Sequence, residues 1–196
     1  MQVNFNSNTN FKAEFIAKNK IKQKIIFNNY FKKQVSFIQI DMNSRADLIV
    51  LEKISKNWGT SLATNIISYV ENANKQIFGG GARLFAITKQ KDDFKDLKEK
   101  DILSLAVIVE PSALCKNDKI SLEILQTNPK YINDKANKRP KYKHCGSAII
   151  DSIKKYYNKR IETYALEEAV PFYKKNDFKI IHPQCNMMEW NSNNNS

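Results

Sequence analysis

Hydrophobic and polar residues follow two different periods along this chain, and each period predicts one type of element. Alternation, or a short continuous apolar run, predicts a β-strand, whereas apolar residues three and four positions apart predict an amphipathic helix. On this basis we predict strands at residues 35–41, 84–88, 103–109, 120–127, 160–165, 178–182 and 186–190. Helices are predicted at residues 44–58, 62–72, 146–158 and 167–175, the first with Ser44 as its N-cap. Residues 20–33 fit either type of element.

The order of these elements predicts a mixed α/β (α+β) domain. Three consecutive strands between residues 84 and 127 form a meander, which implies antiparallel pairing. The strand–helix–strand unit that follows implies a parallel crossover. We expect the domain to span residues 35–190, with a polar N-terminal extension at residues 1–34 and a disordered, Asn-rich tail at residues 191–196.

The composition narrows the class of protein. With 196 residues, of which 42% are hydrophobic, the chain can form one domain with a real core. No apolar run approaches the roughly 20 residues that cross a bilayer, and the polar start lacks the apolar region of a secretory signal. We therefore expect no membrane partner and a cytoplasmic location. The three widely separated cysteines predict neither a disulfide framework nor a metal site, which fits a reducing compartment.

The net charge of +12 indicates an anionic partner, such as a nucleotide cofactor, a nucleic acid or a membrane surface. The alternative is a compositional bias, because the chain is rich in Lys, Asn and Ile together, as AT-rich coding sequence would produce. The basic loop at residues 130–143 is more specific, because its Lys and Arg residues adjoin a candidate anion-binding turn.

That turn is Lys143-His-Cys-Gly146-Ser-Ala148, which holds one of only five glycines in the chain. It lies between a predicted strand and a predicted helix, so its backbone N–H groups have no intrahelical partner. These N–H groups and the helix dipole both favour an anion. The turn therefore predicts a phosphate-binding site. Cys145 within it is either a reactive thiol at a helix N-terminus or, more simply, a small residue that fills the turn.

Two motifs in this order resemble those of the GNAT superfamily of N-acetyltransferases. The turn is similar to the (Arg/Gln)-x-x-Gly-x-(Gly/Ala) motif of that family, and the segment AVPFYKKNDF at residues 169–178 is similar to its Ala-x-x-(Phe/Leu)-Tyr-x-x-x-Gly-Phe helix. The resemblance covers roughly residues 35–190. It implies a GNAT-like acyl-CoA N-acyltransferase fold with a mixed, mostly antiparallel central sheet and helices on both faces. It also implies acetyl-CoA as a co-substrate, without a metal.

The resemblance assigns roles to particular residues. The turn would hold the coenzyme A pyrophosphate and the strand before it would meet the thioester; these cofactor-binding residues are Leu125, Gln126, Thr127, Lys143, His144, Cys145, Gly146, Ser147 and Ala148. Tyr173 matches the position of a general acid for the leaving thiolate, with a packed aromatic residue as the alternative. Glu123 matches a glutamate that acts as a base through water, with a solvated carboxylate as the alternative and Glu162 as a weaker candidate. Strand alternation predicts that Glu123 shares a face with Leu125.

Three positions depart from the family pattern: Lys143 replaces Arg or Gln, Leu166 replaces an Asn, and Asp177 replaces the Gly before Phe178. The implied function is acetyl-CoA-dependent transfer of an acetyl group directly to an amine of a small molecule or a protein. The alternatives are a toxin-like acetyltransferase that acts on aminoacyl-tRNA and a non-catalytic binding module that keeps the fold. The acceptor would enter over the first two helices, where Trp58 and Tyr69 either line a groove or pack in the core.

Overall fold

A computed structural model of the chain describes residues 13–24, 30–75, 81–91, 94–112, 119–132 and 140–191. Residues 133–139 of the basic loop, the first twelve residues of the expected extension and the expected tail after Asn191 lie outside the described residues. The strands are β1 (Glu14–Lys24), β2 (Tyr30–Ile40), β3 (Ala82–Thr88), β4 (Ile102–Val109), β5 (Ile120–Thr127), β6 (Tyr142–Lys143), β7 (Ile161–Tyr164), β8 (Lys179–His182) and β9 (Met187–Trp190). The helices are α1 (Arg45–Trp58), α2 (Ser61–Lys75), α3 (Cys145–Tyr157) and α4 (Val170–Lys174).

These strands form one sheet in the order β6-β1-β2-β3-β4-β5-β7-β9-β8. Every neighbouring pair is antiparallel except β5 and β7, which are parallel and are joined by the α3 crossover. The predicted meander and the predicted parallel crossover are both present. The predicted fold class, a mixed and mostly antiparallel sheet within an α/β domain, is therefore confirmed.

Helices cover both faces of the sheet and create two cores. We call the first the α3–α4 core; it is filled by buried residues that include Phe37, Phe85, Leu122, Ile149 and Tyr173. We call the second the α1–α2 core; it includes Leu51, Ile54, Ile66, Leu84 and Ile124. Strand β4 is buried up to Ile108, with Val109 partly buried, because it contributes residues to both cores, which explains its continuous apolar run.

Strand β1 lies within the segment that was expected to be an extension. It pairs with β2 along almost its whole length, so the sheet begins near residue 14 rather than at residue 35. Among the β1 side chains that the structure describes, Ile16 and Ala17 are only partly buried against the α3–α4 core. The side-chain amide of Asn19 instead donates to the Ala148 carbonyl at 2.8 Å and to the Ser152 hydroxyl at 2.7 Å, which attaches β1 to α3.

Helix α1 begins where the sequence predicts. The backbone N–H of Asp47 donates to the hydroxyl of Ser44, the N-cap, at 3.3 Å. The carboxylate of Asp47 in turn accepts the backbone N–H of Asp41 at 3.0 Å. Asp47 is almost completely buried, and this burial raises its pKa to about 6, with the nearby Asp41 charge adding to the shift.

Candidate active site

Strands β5 and β7 separate soon after they meet. Their parallel pairing consists of two positions, Ile120 with Ile161 and Ser121 with Glu162. At the next position the Thr163 hydroxyl donates to the Leu122 carbonyl at 2.8 Å, so a side chain replaces the backbone partner. Among the residues that the structure describes, none pairs as a strand with the rest of β5, up to Thr127, on this side. The end of β5 that borders this opening contains Leu125, Gln126 and Thr127, which the sequence analysis assigns to the cofactor site.

A β-bulge lies in β5 just beyond the point of separation. In the pairing of β5 with β4, Ile108 is opposite Leu122 and Val107 is opposite Ile124, which leaves Glu123 as the extra residue. A bulge leaves backbone groups outside the regular ladder and redirects a side chain. Bulges are common next to active sites for this reason.

The bulge places Glu123 on the α1–α2 side of the sheet. Its carboxylate accepts a hydrogen bond from the Ser121 hydroxyl and is paired with the Tyr69 hydroxyl on α2. Burial and then this contact raise the pKa of Tyr69 to about 12. Leu125 packs against the opposite, α3–α4 core. The expectation that Glu123 and Leu125 share a face is therefore wrong, because the extra residue reverses the alternation of the strand.

The predicted anion-binding turn forms the start of α3. The first backbone bond of the helix runs from the N–H of Ala148 to the carbonyl of His144 at 2.9 Å. The N–H groups of Cys145, Gly146 and Ser147 therefore precede the first intrahelical bond and point out of the helix end. His144 has a φ of 65°, an uncommon conformation for a residue other than glycine, and it turns the chain into the helix.

Gly146 is required here by close packing. A Cβ atom at this position would lie 3.0 Å from the Thr127 hydroxyl oxygen and 3.1 Å from the ring of Phe172. The turn is therefore held against the end of β5 on one side and against α4 on the other. Both the turn and the end of β5 belong to the predicted cofactor site, and the fold brings them together.

Tyr173 lies at the point where β5 and β7 separate. It is 7% exposed, and its ring packs against Phe172 and Phe178 with centroid distances of 5.4 Å in each case. Its hydroxyl is hydrogen-bonded with the side chain of Thr163. Burial raises the pKa of this phenol, so that it keeps its proton at neutral pH.

Thr163 is a candidate site residue that the sequence analysis did not find. It is 2% exposed and links the Tyr173 hydroxyl to the Leu122 carbonyl. The available signal was its position between Ile161 and Ala165 on the buried face of a short strand. A polar residue at such a position needs a hydrogen-bond partner, and here the partners are site groups.

The substitution of Asp177 for the family's Gly is explained by backbone geometry. Asp177 has a φ of 62°, in the left-handed region that favours Gly but that Asp also tolerates. This conformation lets the N–H of Phe178 donate to the Tyr173 carbonyl at 3.1 Å, which closes the end of α4. The Asp177 carboxylate lies 3.5 Å from the ammonium of Lys154 on α3. The departure therefore preserves the position of Tyr173.

The structure decides several of the remaining alternatives. Cys145 is buried, and burial raises the pKa of its thiol to about 12, which favours the filler over the reactive thiol. The Glu162 carboxylate forms an ion pair with the Lys119 ammonium at 2.6 Å, which makes it a weaker candidate for the base. Trp58 belongs to the α1–α2 core, while Tyr69 is only partly buried there and contacts Glu123. The buried side chain of Gln126 accepts from the Thr60 hydroxyl at 3.3 Å and donates to the Thr127 carbonyl at 2.8 Å.

Two searches of the described residues gave negative results. No three His, Cys, Asp or Glu side chains in this part of the chain lie together in a way that would hold a metal ion. No helix in it is both long enough and apolar enough to cross a membrane.

Comparison with known proteins identifies the fold. No sequence-family model matches the chain, and no curated protein matches it significantly in sequence. Among solved structures, it is similar to AtaTR bound with acetyl-CoA (TM-score 0.52, 10% identity, covering 82% of this chain and 94% of that one). It is also similar to AtaT complexed with acetyl-methionyl-tRNAfMet (TM-score 0.51, 10% identity, covering 82% of this chain and 96% of that one). A third similar structure is a candidate acetyltransferase from Exiguobacterium sp. 255-15 (TM-score 0.50, 13% identity, covering 83% of this chain and 99% of that one). The chain therefore has the GNAT acyl-CoA N-acyltransferase fold that the two motifs imply.

Proposed function

We propose that this chain, on its GNAT fold, is an acetyl-CoA-dependent N-acetyltransferase that transfers an acetyl group directly to an amine of a small molecule or a protein. The observation that carries the proposal is the position of Tyr173. Its protonated hydroxyl lies where β5 and β7 separate, and the bulge with Glu123 lies beside it on β5. An acid and a base on opposite faces of one opening suit a reaction that must both supply and remove a proton.

The binding part of the proposal uses the start of α3 and the end of β5. The N–H groups of Cys145, Gly146 and Ser147 would bind the pyrophosphate of coenzyme A, supported by the helix dipole. Lys143, the first residue of the turn and the last residue of β6, would add a positive charge. The backbone of residues 125–127 would meet the pantetheine and thioester end, because this part of β5 has no partner strand towards β7.

The chemical part assigns one proton transfer to each side chain. Glu123 takes a proton from the acceptor amine through water, which leaves a lone pair on nitrogen to attack the thioester carbonyl carbon. The new C–N bond forms, the nitrogen releases its second proton to water as the C–S bond breaks, and Glu123 returns its own proton to solvent. Tyr173 donates its hydroxyl proton to the leaving sulphur and is reprotonated from solvent. The products are the acetylated amine and free coenzyme A, so atoms and charges balance.

Tyr173→Phe tests the acid. We expect acetyl-CoA to raise the melting temperature of both proteins equally, because the phenol makes no contact that binding requires. The kcat of the variant should fall at least a hundredfold, which is typical for the loss of a general acid. Tyr156→Phe, at a half-exposed tyrosine on α3, is the matched control and should keep full activity. The proposal would fail if acetyl-CoA neither raised the melting temperature of the wild-type protein nor served it as an acetyl donor.

Ser147→Asp tests the phosphate cradle without risk to the fold. A carboxylate in the first turn of α3 stabilises the helix but repels a pyrophosphate at the same N–H groups. We expect an unchanged or higher melting temperature and a dissociation constant for acetyl-CoA at least ten times higher. Ser147→Asn, which has the same shape without the charge, should bind acetyl-CoA nearly as well as the wild type. If the two variants bound acetyl-CoA with equal affinity, the pyrophosphate would have to bind at another place.

A second candidate acceptor is aminoacyl-tRNA. Two observations favour it: the net charge of +12, and the similarity in fold to AtaT, which was solved with acetyl-methionyl-tRNAfMet. A panel of amines, peptides and charged tRNAs, assayed with labelled acetyl-CoA, separates the two acceptor classes. Binding of acetyl-CoA without transfer to any of them would instead indicate a non-catalytic binding module.

The proposal includes a cytoplasmic location. In the described residues, Cys145 and Cys185 are free thiols, and free thiols persist in a reducing compartment. Fractionation of cells that express the tagged protein checks this part.

A further inference from the structure

Helices cover the two faces of the sheet unequally at its β7–β9–β8 end. On one face, Ile161, Met188 and Trp190 are buried in the α3–α4 core. The α1–α2 core on the other face reaches β5 at Ile124, and among the described residues it includes none from β7, β8 or β9. The α1–α2 face of these three strands is therefore left without a helix over it in the part of the chain that the structure describes.

This uncovered face carries two large apolar side chains at the end of β7. Because Ile161 and Ala165 are buried in the α3–α4 core, strand alternation places Tyr164 and Leu166 on the α1–α2 side. They are 64% and 61% exposed, more than any other large hydrophobic side chain that the structure describes. Met187, the partner of Tyr164 on β9, continues the surface. We call Tyr164, Leu166 and Met187 the β7 apolar surface.

The β7 apolar surface borders the candidate base. Ser121 and Glu162 form the last paired position of β5 and β7, and two residues further along the two strands are Glu123 and Tyr164. Both of these side chains lie on the α1–α2 side, so they occupy opposite edges of the opening on the same face. A molecule that contacts both would place one part on an apolar surface and another beside a carboxylate.

The carboxylates at this place differ in their partners. Glu162 forms an ion pair with Lys119, whereas Glu123 contacts two neutral hydroxyl groups, those of Ser121 and Tyr69. The contacts of Glu123 thus leave its charge to be balanced by a cation such as an ammonium group. Small-molecule sites commonly combine an apolar lining with a few polar groups that fix the orientation of the ligand. The β7 apolar surface and Glu123 together have this composition.

Two features of the sequence favour an apolar occupant from outside the chain. Leu166 is one of the three departures from the family pattern, and its exposure means that core packing does not explain the change from Asn. Residues 192–196, which follow β9 and lie outside the described residues, are Ser and Asn alone. They therefore offer no apolar side chain to cover the surface. Neighbouring exposed apolar side chains mark binding surfaces more often than isolated ones do.

We propose that Tyr164, Leu166 and Met187 form a subsite that selects small acceptors whose primary amine is carried by a bulky apolar group. The inference rests on the proposed function, because it places that amine beside Glu123. The apolar group would pack on the Tyr164 ring and on Leu166, with the Met187 thioether as a further contact. The subsite would determine the KM for the acceptor and would take no part in proton transfer.

A pair of amines with nearly the same shape tests the subsite. Cyclohexylmethylamine presents an apolar ring, and tetrahydropyranylmethylamine replaces one methylene of that ring by an ether oxygen. With saturating acetyl-CoA, we expect the wild type to favour the first amine about tenfold in kcat/KM. Tyr164→Ala should raise the KM for cyclohexylmethylamine, leave its kcat nearly unchanged and bring the two amines within about twofold of each other.

Three further variants separate a role in selection from a role in folding. Tyr164→Phe keeps the ring and should retain the preference, whereas Leu166→Asn, which restores the family's residue, should reduce it. Ile49→Ala is the matched control, because Ile49 is an exposed apolar residue on α1, 42% exposed, and it should leave both amines unaffected. A merely structural role of Tyr164 would instead change the kinetics of the two amines equally.

Equal use of the two amines by the wild type, or an unchanged preference in Tyr164→Ala, would overturn the inference while the acetyltransferase stands. If the wild type acetylates neither amine, thermal shift in the presence of coenzyme A decides. Stabilisation by cyclohexylmethylamine that Tyr164→Ala removes would support the subsite even if acetyl transfer fails, and no stabilisation would overturn it. A wild-type dimer that Tyr164→Ala dissociates, measured by analytical ultracentrifugation, would also overturn it and assign the surface to a contact between copies.

Discussion

The two faces of the sheet differ in how clearly the sequence marks their candidate functional residues. On the α3–α4 face, the turn at Gly146, the end of β5 and Tyr173 occur as recognisable motifs in the chain. On the α1–α2 face, Glu123, Tyr69 and Asp47 occur in no motif, and only their contacts show that they are unusual. Under the proposed function, a shared coenzyme would constrain the first face. An acceptor that differs from one enzyme to another would leave the second face free to vary.

The largest expected effect tests whether the α1–α2 face contributes to the chemistry. Glu123→Gln should lower kcat at least a hundredfold at neutral pH and leave the affinity for acetyl-CoA unchanged, because it removes the base but no coenzyme contact. The loss should shrink at high pH, where more of the amine is already deprotonated. Steady-state kinetics between pH 6 and 10 measure this, with the exposed Glu52→Gln as control. Full activity in Glu123→Gln would reduce its role to the contacts with Ser121 and Tyr69.

A pH effect on stability should arise from the same face. The folded pKa of Asp47 is about 6 and its ordinary value is 3.8, so between these values the folded state holds a proton that the unfolded state has lost. The free energy of unfolding should therefore fall as pH rises from about 4 to about 6, by at most about 3 kcal/mol. Asp47→Asn should remove this fall, because its side chain does not titrate. Urea unfolding of both proteins at several pH values measures the difference, and parallel pH profiles would contradict the assignment.

On the α3–α4 face, Gly146→Ala tests the close packing of the turn. The added methyl group would meet Thr127 and Phe172 at 3.0–3.1 Å, so we expect a loss of about 1–3 kcal/mol of stability. Gly81→Ala is the matched control, because the nearest atom there would lie 3.8 Å away. Denaturant unfolding should show a clear loss in the first variant and little change in the second. Equal stabilities would mean that the end of β5 adjusts without cost.

The smallest effect concerns the departure at Asp177. Asp177→Gly should stabilise the protein by up to about 1 kcal/mol, because Gly adopts a φ of 62° without strain and the exposed ion pair with Lys154 contributes little. Asp177→Ala should destabilise it by a similar amount, since Ala tolerates this conformation poorly. The predicted order of stability is therefore Gly, Asp, Ala. Any other order of unfolding midpoints would show that the ion pair outweighs the backbone.

Much of the fold could be predicted because its signals are local. Strands β2 to β5 and helices α1 to α3 follow the hydrophobic periods, and Ser44 caps α1 as its sequence position suggests. Strand β1 could not be placed, because its polar residues carry no clear period. Its position is set by pairing with β2. The bulge at Glu123 was equally hidden, since it exists only in the pairing with β4.

The candidate site shows the same division between local and distant information. The turn at residues 143–148 could be found from the order of residues, because the start of a helix leaves backbone N–H groups free. Tyr173 could be found because residues 169–178 resemble a GNAT motif. Thr163 could not be assigned a role in advance, since its partners, Tyr173 and Leu122, come from two other elements. Three lysines show the same division: Lys33, Lys89 and Lys141 are far apart in sequence and meet only around Tyr142.

The sequence by itself determined the class of fold and the turn that suits an anion, because hydrophobic period, capping and backbone freedom act over a few residues. Tyr173 was found through the resemblance of its segment to a GNAT motif. Only the tertiary structure decided which face Glu123 occupies, that Asp177 preserves the end of α4, and that Lys33, Lys89 and Lys141 meet around Tyr142. These outcomes depend on strand register and on contacts between distant segments, whose free energies appear only when the chain is folded.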